Sequence, residues 1–323
     1  MVSIIIPFKN PMPYFEDCLK SVINQTYVKL QIILVNDGSE DQSLELAINM
    51  SDKDSRIEVF KNNGNGIIDA LNTGAEMSKG KFITRMDADD IMDAEKIKIL
   101  RNLLIKNGNK HLSTGCVSYF SSNKKMGDGY LKYAKWLNKL TIRSQNFVDI
   151  YKECSIPSSC WMMHMKDFNE IKGFKNLTYP EDYDFAFRTY YNNLKLVSSD
   201  KVLHLWRDHP KRTSRNSSVY EYENFIPLKI NHLLKYELKK EQLVLWGAGR
   251  KGKKIAEYLL EKSISFMWVS NNSKKIGQLI YNVEIQSEEY LNLKIKKLVI
   301  CGISEKKFEV PLNTKFNRFI NFF

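Results

Sequence analysis

Short apolar runs alternate with stretches of helical periodicity over roughly the first 120 residues. Consecutive apolar residues predict buried strands, whereas apolar residues that recur every three or four positions predict amphipathic helices. Ser39 and Gln42 fit a capping box at the start of the second predicted helix. The alternation is typical of an α/β protein with a mostly parallel central sheet covered by helices on both faces. The predicted strands are 3–7, 31–35, 57–60 and 81–86, and the predicted helices are 13–25, 41–50, 66–78 and 93–105.

The pattern changes twice further along the chain. The region from about 110 to 215 mixes short strands with a predicted helix over 180–193, and residues 220–240 form a long helical pattern with the character of a connector. From residue 242 a new strand–turn–helix–strand pattern begins, which indicates about three further strands. The predicted organisation is therefore a first domain at 1–215, a helical connector at 216–241 and a small α/β domain at 242–323.

Polar residues follow the predicted strands, where ligands bind in parallel sheets. Asp87, Asp89 and Asp90 come directly after the fourth strand, and three carboxylates in four residues repel one another. A hard divalent cation, Mg²⁺ or Mn²⁺, would supply the counter-charge and could also neutralise a bound diphosphate. The alternative is an acidic loop that caps the helix at 93–105. Asn36-Asp37-Gly38-Ser39 follows the second strand, and it suits either a carboxylate that accepts from a base N–H or a plain turn.

Composition narrows the class of protein. Of the 323 residues 43% are hydrophobic and 27% charged, as in ordinary globular proteins. The five cysteines are scattered and form no CxxC pair, which argues against a disulfide framework and a thiolate zinc site and favours a reducing cytosol. We expect neither a signal peptide nor a membrane-spanning helix. The net charge of +12 suits nucleotide diphosphates, acidic lipid surfaces or nucleic acid, although a solvated lysine-rich surface would also explain it.

Several short motifs occur in one order along the chain. They are Ser3-Ile-Ile-Ile-Pro7, Cys18-Leu-Lys-Ser-Val22 through Gln25-Thr26-Tyr27, Val35-Asn-Asp-Gly-Ser39, Ala70-Leu-Asn-Thr-Gly74, Lys79-Gly80 and Met86-Asp-Ala-Asp-Asp90. Together they closely resemble family 2 glycosyltransferases of the GT-A fold over residues ~2–215. The resemblance implies an inverting, metal-dependent enzyme that transfers a sugar from a nucleotide-diphosphate donor, usually a UDP-sugar, to a hydroxyl group. It also implies Mn²⁺ or Mg²⁺ as cofactor.

The resemblance also implies a role for individual residues. Asp37 would bind the base, Pro7 would line the nucleotide pocket, and Asn63 and Gly64 would lie beside the base and ribose. Asp89 would ligate the metal. The residues implied to bind the nucleotide sugar are Pro7, Asp37, Asn63, Gly64, Asp87 and Ala88.

A second acidic group opens the predicted helix at 180–193. Inverting transfer needs a base that takes the proton of the acceptor hydroxyl. The resemblance implies that Asp182 is this base with Glu181 beside it, while Asp184 is close enough to compete. Acidic residues in a first helical turn also have a purely structural explanation, because they stabilise the helix dipole.

A histidine and several cations follow at 206–215. Trp206-Arg207-Asp208-His209 resembles the R-x-H element of the family, which implies that His209 completes the metal or diphosphate shell. A loop histidine without a ligand role is the alternative. Lys211, Arg212 and Arg215 suit either a clamp on a diphosphate or anionic acceptor, or a solvated basic loop.

A glycine-rich turn opens the C-terminal domain. Gly247, Gly249 and Gly252 lie between a predicted strand at 243–246 and a predicted helix at 251–261, the context of a dinucleotide-binding turn. The next strand ends at Ser270-Asn271, without the acid that would hold a ribose. We therefore expect a small Rossmann-like module for packing, dimerisation or ligand sensing in preference to NAD binding.

The acceptor is the least constrained part of the hypothesis. The stretch Tyr133–Thr141, the acidic helix and the glycine-rich module together resemble the family that includes queuosine-tRNA galactosyltransferase, and also transferases that build surface glycans. A glycan or lipid-linked saccharide is the preferred acceptor, and tRNA is the alternative, because the basic charge suits both an anionic membrane face and RNA phosphates. A non-catalytic nucleotide sensor and an NAD-dependent oxidoreductase are further alternatives. The expected location is the cytoplasm, at the inner face of the membrane, with a homodimer as a further expectation.

Overall fold

The computed structural model describes residues 1–121, 127–175, 180–216, 222–303 and 311–323. The chain divides into two units. One contains 1–148 and 154–216, and the other contains 149–153 and 217–323. Tyr179, which precedes the acidic helix, and part of the predicted connector, 217–221, lie outside the described residues.

β-Branched and leucine side chains form the centre of the first sheet. Strands β1 (Val2–Phe8) and β2 (Leu30–Asn36) are buried along their whole length. Ile4 and its neighbours on one face pack against Phe15 of the first helix, while Ile33 packs against Ala70 of the third helix on the other. Burial on both faces explains why these strands are continuously apolar and do not alternate.

The first unit continues in the order that the hydrophobic pattern predicts, and then adds reversed strands. Its strands after β2 are β3 (Ile57–Lys61), β4 (Phe82–Arg85), β5 (Ile91–Met92), β6 (His111–Phe120), β7 (Trp161–His164) and β8 (Lys195–Arg207). Its helices are α1 (Phe15–Ile23), α2 (Ser43–Ser51), α3 (Ile67–Glu76), α4 (Lys96–Asn107), α5 (Asp128–Ile142), α6 (Met165–Glu170), α7 (Glu181–Tyr191) and α8 (Thr213–Asn216).

The eight strands form one mixed sheet in the order β3-β2-β1-β4-β7-β6-β8-β5. Strands β1 to β4 are parallel, β7 runs antiparallel to both of its neighbours, and β6 and β8 are parallel. The short strand β5 pairs antiparallel with β8, with Ile91 opposite Leu205. This register places the turn that precedes β5 opposite the carboxyl end of β8, and so creates a polar edge on the sheet.

The second unit has its own sheet, larger than the three strands that the sequence predicts. Its order is β11-β12-β10-β9-β13-β14, and all neighbours are parallel except β11 and β12. The elements are α9 (Tyr222–His232), a π-helical turn at Leu233–Glu237, β9 (Gln242–Trp246), α10 (Arg250–Glu261), β10 (Met267–Ser270), β11 (Leu279–Ile280), β12 (Val283–Ser287), β13 (Lys297–Cys301) and β14 (Asn317–Asn321).

Two predicted helix starts are wrong. Helix α2 begins at Ser43 and has no capping box, because Ser39 Oγ instead accepts a hydrogen bond from Asn10 N at 3.1 Å. Asp41 Oδ1 accepts from the backbone N of Ser43 at 3.1 Å in its place. Helix α4 begins at Lys96, because residues 93–95 form a turn in which the backbone N of Asp93 donates to the carbonyl of Leu203 at 3.0 Å.

The cysteines and helix lengths bear on the class of protein. All five cysteines are buried as free thiols. Among the helices in the described parts of the chain, none combines the length and the apolar character needed to cross a bilayer.

Gly252 permits the close approach of α10 to the turn after β9. A Cβ atom at residue 252 would lie 2.0 Å from the carbonyl oxygen of Gly247. We expect Gly252→Ala to lower the free energy of unfolding of the second unit by about 2 kcal/mol, because backbone must move to relieve the overlap. The measurement is urea denaturation followed by fluorescence.

Gly249→Ser is the control, since a Cβ there meets no heavy atom within 4 Å and serine is a favourable N-cap residue. Its expected effect is below about 0.5 kcal/mol. Equal losses in the two variants would contradict the packing explanation.

Candidate active site

Hydrogen bonds from Cys18 and Arg207 hold the acidic turn after β4. Cys18 Sγ donates to the carbonyl of Asp87 at 3.4 Å, and Arg207 Nε donates to the carbonyl of Asp89 at 2.9 Å. The backbone N of Arg207 donates to Asp90 Oδ1 at 2.8 Å. The Arg207 guanidinium also lies over the rings of Tyr14 and Phe120, 4.8 and 4.7 Å from their centroids. These contacts fix the turn to β8, and the turn does not cap α4.

Each carboxylate of the turn has a different partner. Asp87 Oδ1 pairs with Arg85 Nη2 at 2.6 Å, Asp89 Oδ2 lies 2.8 Å from His209 Nε2, and Asp90 Oδ2 lies 3.0 Å from His204 Nε2. Burial would raise the pKa of Asp87, but Arg85 outweighs it and lowers that pKa to about 2. The mutual repulsion that the sequence predicts is therefore relieved by separate counter-groups.

Arg85 connects the acidic turn to the acidic start of α7. Its Nη1 pairs with Glu181 Oε1 at 2.8 Å, while its Nη2 holds Asp87, and the Arg85 and Glu181 side chains are only 5% and 3% exposed. The two carboxylate groups that the sequence places 94 positions apart therefore share one guanidinium. A cation two residues before Asp87 on the same strand face is the signal that could have identified Arg85.

Asp182 differs from its acidic neighbours in having no cationic partner among the hydrogen bonds and ion pairs of the described residues. Its Oδ1 accepts from the backbone N of Tyr183 at 2.8 Å. Burial and the Glu181 carboxylate raise the pKa of Asp182 to about 7, although Arg85 opposes them. Asp184 is instead paired with Arg188 at 2.6 Å. Of the three acids at the start of α7, Asp182 is therefore the one suited to accept a proton near neutral pH.

The predicted base-binding carboxylate lies at the carboxyl end of β2. Asp37 Oδ1 accepts from Asn62 Nδ2 at 2.6 Å and from the backbone N of Gly66 at 2.9 Å. Among the ion pairs and hydrogen bonds of the described residues, Asp37 Oδ2 has one partner, Lys9 Nζ at 3.8 Å. Gly38 takes a φ of +74°, which the tight turn after Asp37 requires. The carboxylate is thus held through one oxygen while the other is available to a ligand.

The other predicted donor-site residues lie around these two turns. Pro7 is buried at the end of β1, opposite Val35. Asn63 is exposed, and its backbone N donates to Thr73 Oγ1 at 3.1 Å. Gly64 is needed for space, because a Cβ there would lie 2.2 Å from a carboxylate oxygen of Asp69. The side chain of Ala88 packs in the core, so only its backbone can face a ligand.

A buried hydrogen-bonded chain supports the acidic turn from behind. His204 Nε2 contacts Asp90, His204 Nδ1 lies 3.2 Å from Lys96 Nζ, and Lys96 Nζ donates to the carbonyl of Ser159. Burial raises the pKa of Asp90 and lowers the pKa values of His204 and Lys96, so all three groups are driven toward their uncharged forms. Sequence gives no sign of this chain, because its members belong to separate elements.

The cations after β8 include one that faces the acidic turn. Arg212 Nη1 donates to the carbonyl of Arg207 at 3.0 Å, and its guanidinium lies 5.4 Å from the ring centroid of Tyr119. Burial would lower the pKa of Arg212, but the carboxylates of the turn, Asp90 first, raise it. Arg215 pairs instead with Asp208 at 2.7 Å, and Lys211 is exposed.

The residues of the turn fit a cation that is held mainly by a bound ligand. In the parts of the chain that the structure describes, no group of three or more His, Cys, Asp or Glu side chains surrounds a common metal position. Asp89 Oδ2 and His209 Nε2 lie 2.8 Å apart, so an oxygen and a nitrogen donor are adjacent, and His209 Nδ1 is buried without a hydrogen-bond partner among the described residues. Mg²⁺ and Mn²⁺ sites with one or two protein ligands are completed by substrate phosphates and water.

A mostly parallel α/β sheet, with an acidic turn after its fourth strand that Arg85 joins to an acidic helix start, agrees with a nucleotide-sugar glycosyltransferase. The chain belongs to glycosyl transferase family 2, whose family model matches residues 3–172. An uncharacterised glycosyltransferase of Haemophilus influenzae is 28% identical over 99% of this chain and 98% of its own length. The glycosyltransferase EpsJ of Bacillus subtilis is 27% identical over 65% of this chain and 62% of its own length.

Solved structures share the fold at low identity. TarS of Staphylococcus aureus, residues 1–349 in complex with UDP-GlcNAc, matches 80% of this chain and 71% of its own with a TM-score of 0.55 and 18% identity. The mannosyltransferase PcManGT of Pyrobaculum calidifontis, in complex with GDP-Man and Mn²⁺, matches 80% and 69% with a TM-score of 0.54 and 16% identity. These likenesses agree with the GT-A fold that the motifs predict.

Lys96 should be important for stability. We expect Lys96→Met to lower the free energy of unfolding by about 2 kcal/mol, because the carbonyl of Ser159 and Nδ1 of His204 lose a buried partner. Urea denaturation gives the measurement. Lys98→Met, two residues further along α4 at an exposed position, is the control and should change stability by less than about 0.5 kcal/mol. Similar losses for both variants would show that the buried chain contributes nothing.

Proposed function

We propose that the chain is an inverting, metal-dependent glycosyltransferase that transfers a sugar from a UDP-sugar to a hydroxyl of a glycan or lipid-linked saccharide. The observation that carries the proposal is the Arg85 guanidinium, which joins Asp87 of the acidic turn to Glu181 of α7. A leaving diphosphate and an attacking hydroxyl need opposite sides of one sugar, and this bridge supports a single cleft with acidic groups on both sides.

On the donor side, Asp37 is proposed to bind the base. Its free Oδ2 suits an N–H donor such as that of uracil, while Asn62 and Gly66 hold Oδ1. The resemblance assigns Asn63 and Gly64 to the base and ribose, Pro7 to the pocket wall, and Asp87 and Ala88 to the donor. For Ala88 the contact would come from the backbone, because its side chain is in the core.

We assign Asp89 and His209 as the protein ligands of a Mn²⁺ or Mg²⁺ ion. When bound, such an ion neutralises the charge that develops on a leaving diphosphate. Arg212 lies in the field of the same turn and would contribute a fixed positive charge. Arg207 keeps the turn oriented toward the cleft, because its Nε donates to the backbone carbonyl of Asp89 and its backbone N donates to the side-chain carboxylate of Asp90.

Asp182 is proposed as the base. The acceptor oxygen forms a bond to the anomeric carbon, its proton passes to Asp182, and the bond to the diphosphate breaks with its electron pair on the leaving oxygen. Attack from the face opposite the leaving group inverts the configuration. A pKa of about 7 suits this role, because a base works best when its pKa lies near the working pH. Glu181 keeps that pKa raised while Arg85 holds Glu181 in place.

The second unit is proposed to be a Rossmann-like module without NAD. Its parallel strands follow the doubly wound order, and β9 leads through the glycine turn into α10. Two carbonyls of the turn are already taken: Trp268 Nε1 donates to Gly247 at 2.9 Å and Lys275 Nζ donates to Ala248. Asn271 stands where a ribose-binding acid would be needed. Packing, dimerisation or ligand sensing therefore suits this unit better than hydride transfer.

Donor binding can be tested by thermal shift. We expect UDP-sugars to raise the melting temperature by several degrees with Mn²⁺ and much less with EDTA, because the ion and Asp37 bind opposite ends of the donor. Asp89→Asn should abolish the Mn²⁺-dependent part, whereas Asp52→Asn, at an exposed position in another loop, should leave it unchanged. If no nucleotide diphosphate or nucleotide sugar stabilises the protein in the presence of Mn²⁺, the proposal fails.

Removal of the proposed base should separate binding from chemistry. We expect Asp182→Asn to lower kcat by a factor of roughly 100 to 10,000 while donor-induced stabilisation persists.

The raised pKa of Asp182 also makes the free energy of unfolding depend on pH. Asp182 favours folding below its unfolded pKa, and this contribution is lost as pH rises through about 7. The same variant should therefore be more stable than the parent at pH 8, and Asp200→Asn is the exposed control. Full activity in Asp182→Asn would exclude this residue as the base.

Glu181 allows a test by pH profile. Activity of the parent should fall below pH 7, because Asp182 gains a proton there. Glu181→Gln removes a negative charge beside Asp182, so it should lower the pKa of Asp182 and move the acid limb of kcat/KM to lower pH by roughly one unit. A purely structural role for Glu181 would reduce activity at every pH without moving the limb.

A further inference from the structure

The solvent face of α5 carries a concentrated positive charge. Its four cations lie at three- and four-residue spacing, and all four residues are exposed. Among the described residues, none of the ion pairs involves them. The only acid on this face is Asp128, in the first turn, where it also favours the helix dipole. The cations are Lys132, Lys135, Lys139 and Arg143.

Two large aliphatic side chains lie along one side of the same face. Leu131 is 47% exposed and Ile142 is 58% exposed. With about 100° of rotation per residue, Leu131, Ile142 and the four cations fall within an arc of about 120°, and the two aliphatic residues differ by only about 20°. They are separated by about 17 Å along the helix axis. The face therefore has an apolar edge and a basic edge.

The opposite face of α5 borders the candidate active site. Tyr130 lies 5.0 Å from Tyr119, and Tyr133 lies 6.1 Å from Trp206, between ring centroids. Arg212, whose pKa the carboxylates of the acidic turn raise, lies over Tyr119. A surface bound to the outer face of α5 would therefore be separated from the candidate active site by the width of this helix.

We propose that the outer face of α5 docks on an anionic lipid bilayer, with the lysines over the headgroups and Leu131 and Ile142 in the interface. Lysine stems are flexible and can keep their charge at headgroup level while an apolar side chain inserts. Exposed aliphatic residues beside the cations favour lipid over RNA, because a phosphate backbone gains nothing from them. Docking through this face would bring the active site close to acceptors held in the membrane. This consequence rests on the proposed function, whereas docking itself does not.

Vesicle flotation tests the proposal with the full chain and without turnover. The vesicles contain phosphatidylcholine alone or with about 30% phosphatidylglycerol, at 0.1 M and 0.5 M salt. We expect binding to the anionic vesicles at low salt, and a partition coefficient on the order of 100-fold lower when Lys132, Lys135 and Lys139 are all changed to Gln. The control changes Lys53, Lys106 and Lys166 to Gln, which removes the same charge from exposed positions elsewhere and should have a much smaller effect.

The apolar edge gives a second, independent variant. Leu131→Ser with Ile142→Ser should lower binding to anionic vesicles roughly tenfold at unchanged net charge. The proposal is overturned if the parent does not bind anionic vesicles, if the control triple loses as much as the α5 triple, or if the serine pair binds as well as the parent. It is also overturned if a tRNA probe displaces the protein from the vesicles and tRNA binding is lost in the lysine variant but not in the serine pair. Thermal shift with UDP-sugar and Mn²⁺ is read in parallel, so failure of docking and failure of the proposed function are distinguishable.

Discussion

A single buried guanidinium organises the cleft. Arg85 neutralises Asp87 in the turn after its own strand and Glu181 on α7, at 2.6 and 2.8 Å. Either carboxylate alone would be expensive to bury, and the pair would repel across a narrow cleft. Because one cation is shared between them, the acidic turn and the helix start are held at a defined separation. Asp182 lies beside Glu181, and burial together with the Glu181 carboxylate raises its pKa to about 7 against the opposing effect of Arg85.

Buried contacts beneath the acidic turn at 87–90 support its position. Arg207 fixes the turn to β8 through hydrogen bonds to the Asp89 carbonyl and the Asp90 carboxylate. The buried chain from Asp90 through His204 to Lys96 fills the space beneath the turn. Burial drives the chain toward uncharged forms, so its hydrogen bonds add order without adding net charge near the carboxylates. The Asp87 carboxylate differs from this chain, because Arg85 lowers its pKa to about 2.

Periodicity and turn chemistry made the strands of the first half predictable. Strands β1 to β4 lie within one residue of the bounds expected from the apolar runs, because strands buried on both faces leave an unbroken signal. Helix starts were less predictable. Ser39 and Gln42 match a capping box in letters, but Ser39 is taken by Asn10 from a neighbouring loop, which no local pattern reveals. The reversed strand β7 and the full six-stranded sheet of the second unit also lay beyond the pattern, because short strands carry little periodicity.

By itself, the sequence determined the parallel α/β class, the order of the turns that carry Asp37, Asp87 and Asp89, and the acidic start of α7, since each depends on residues adjacent in the chain. Only the tertiary structure decided which of these side chains meet. It paired Arg85 with Glu181 and Asp184 with Arg188, and within the described parts of the chain it gave Asp182 no ion pair. The physical reason is that charge pairing depends on distance in space, and that distance is fixed by the register of β5 on β8 and by the packing of α7, which local sequence does not encode.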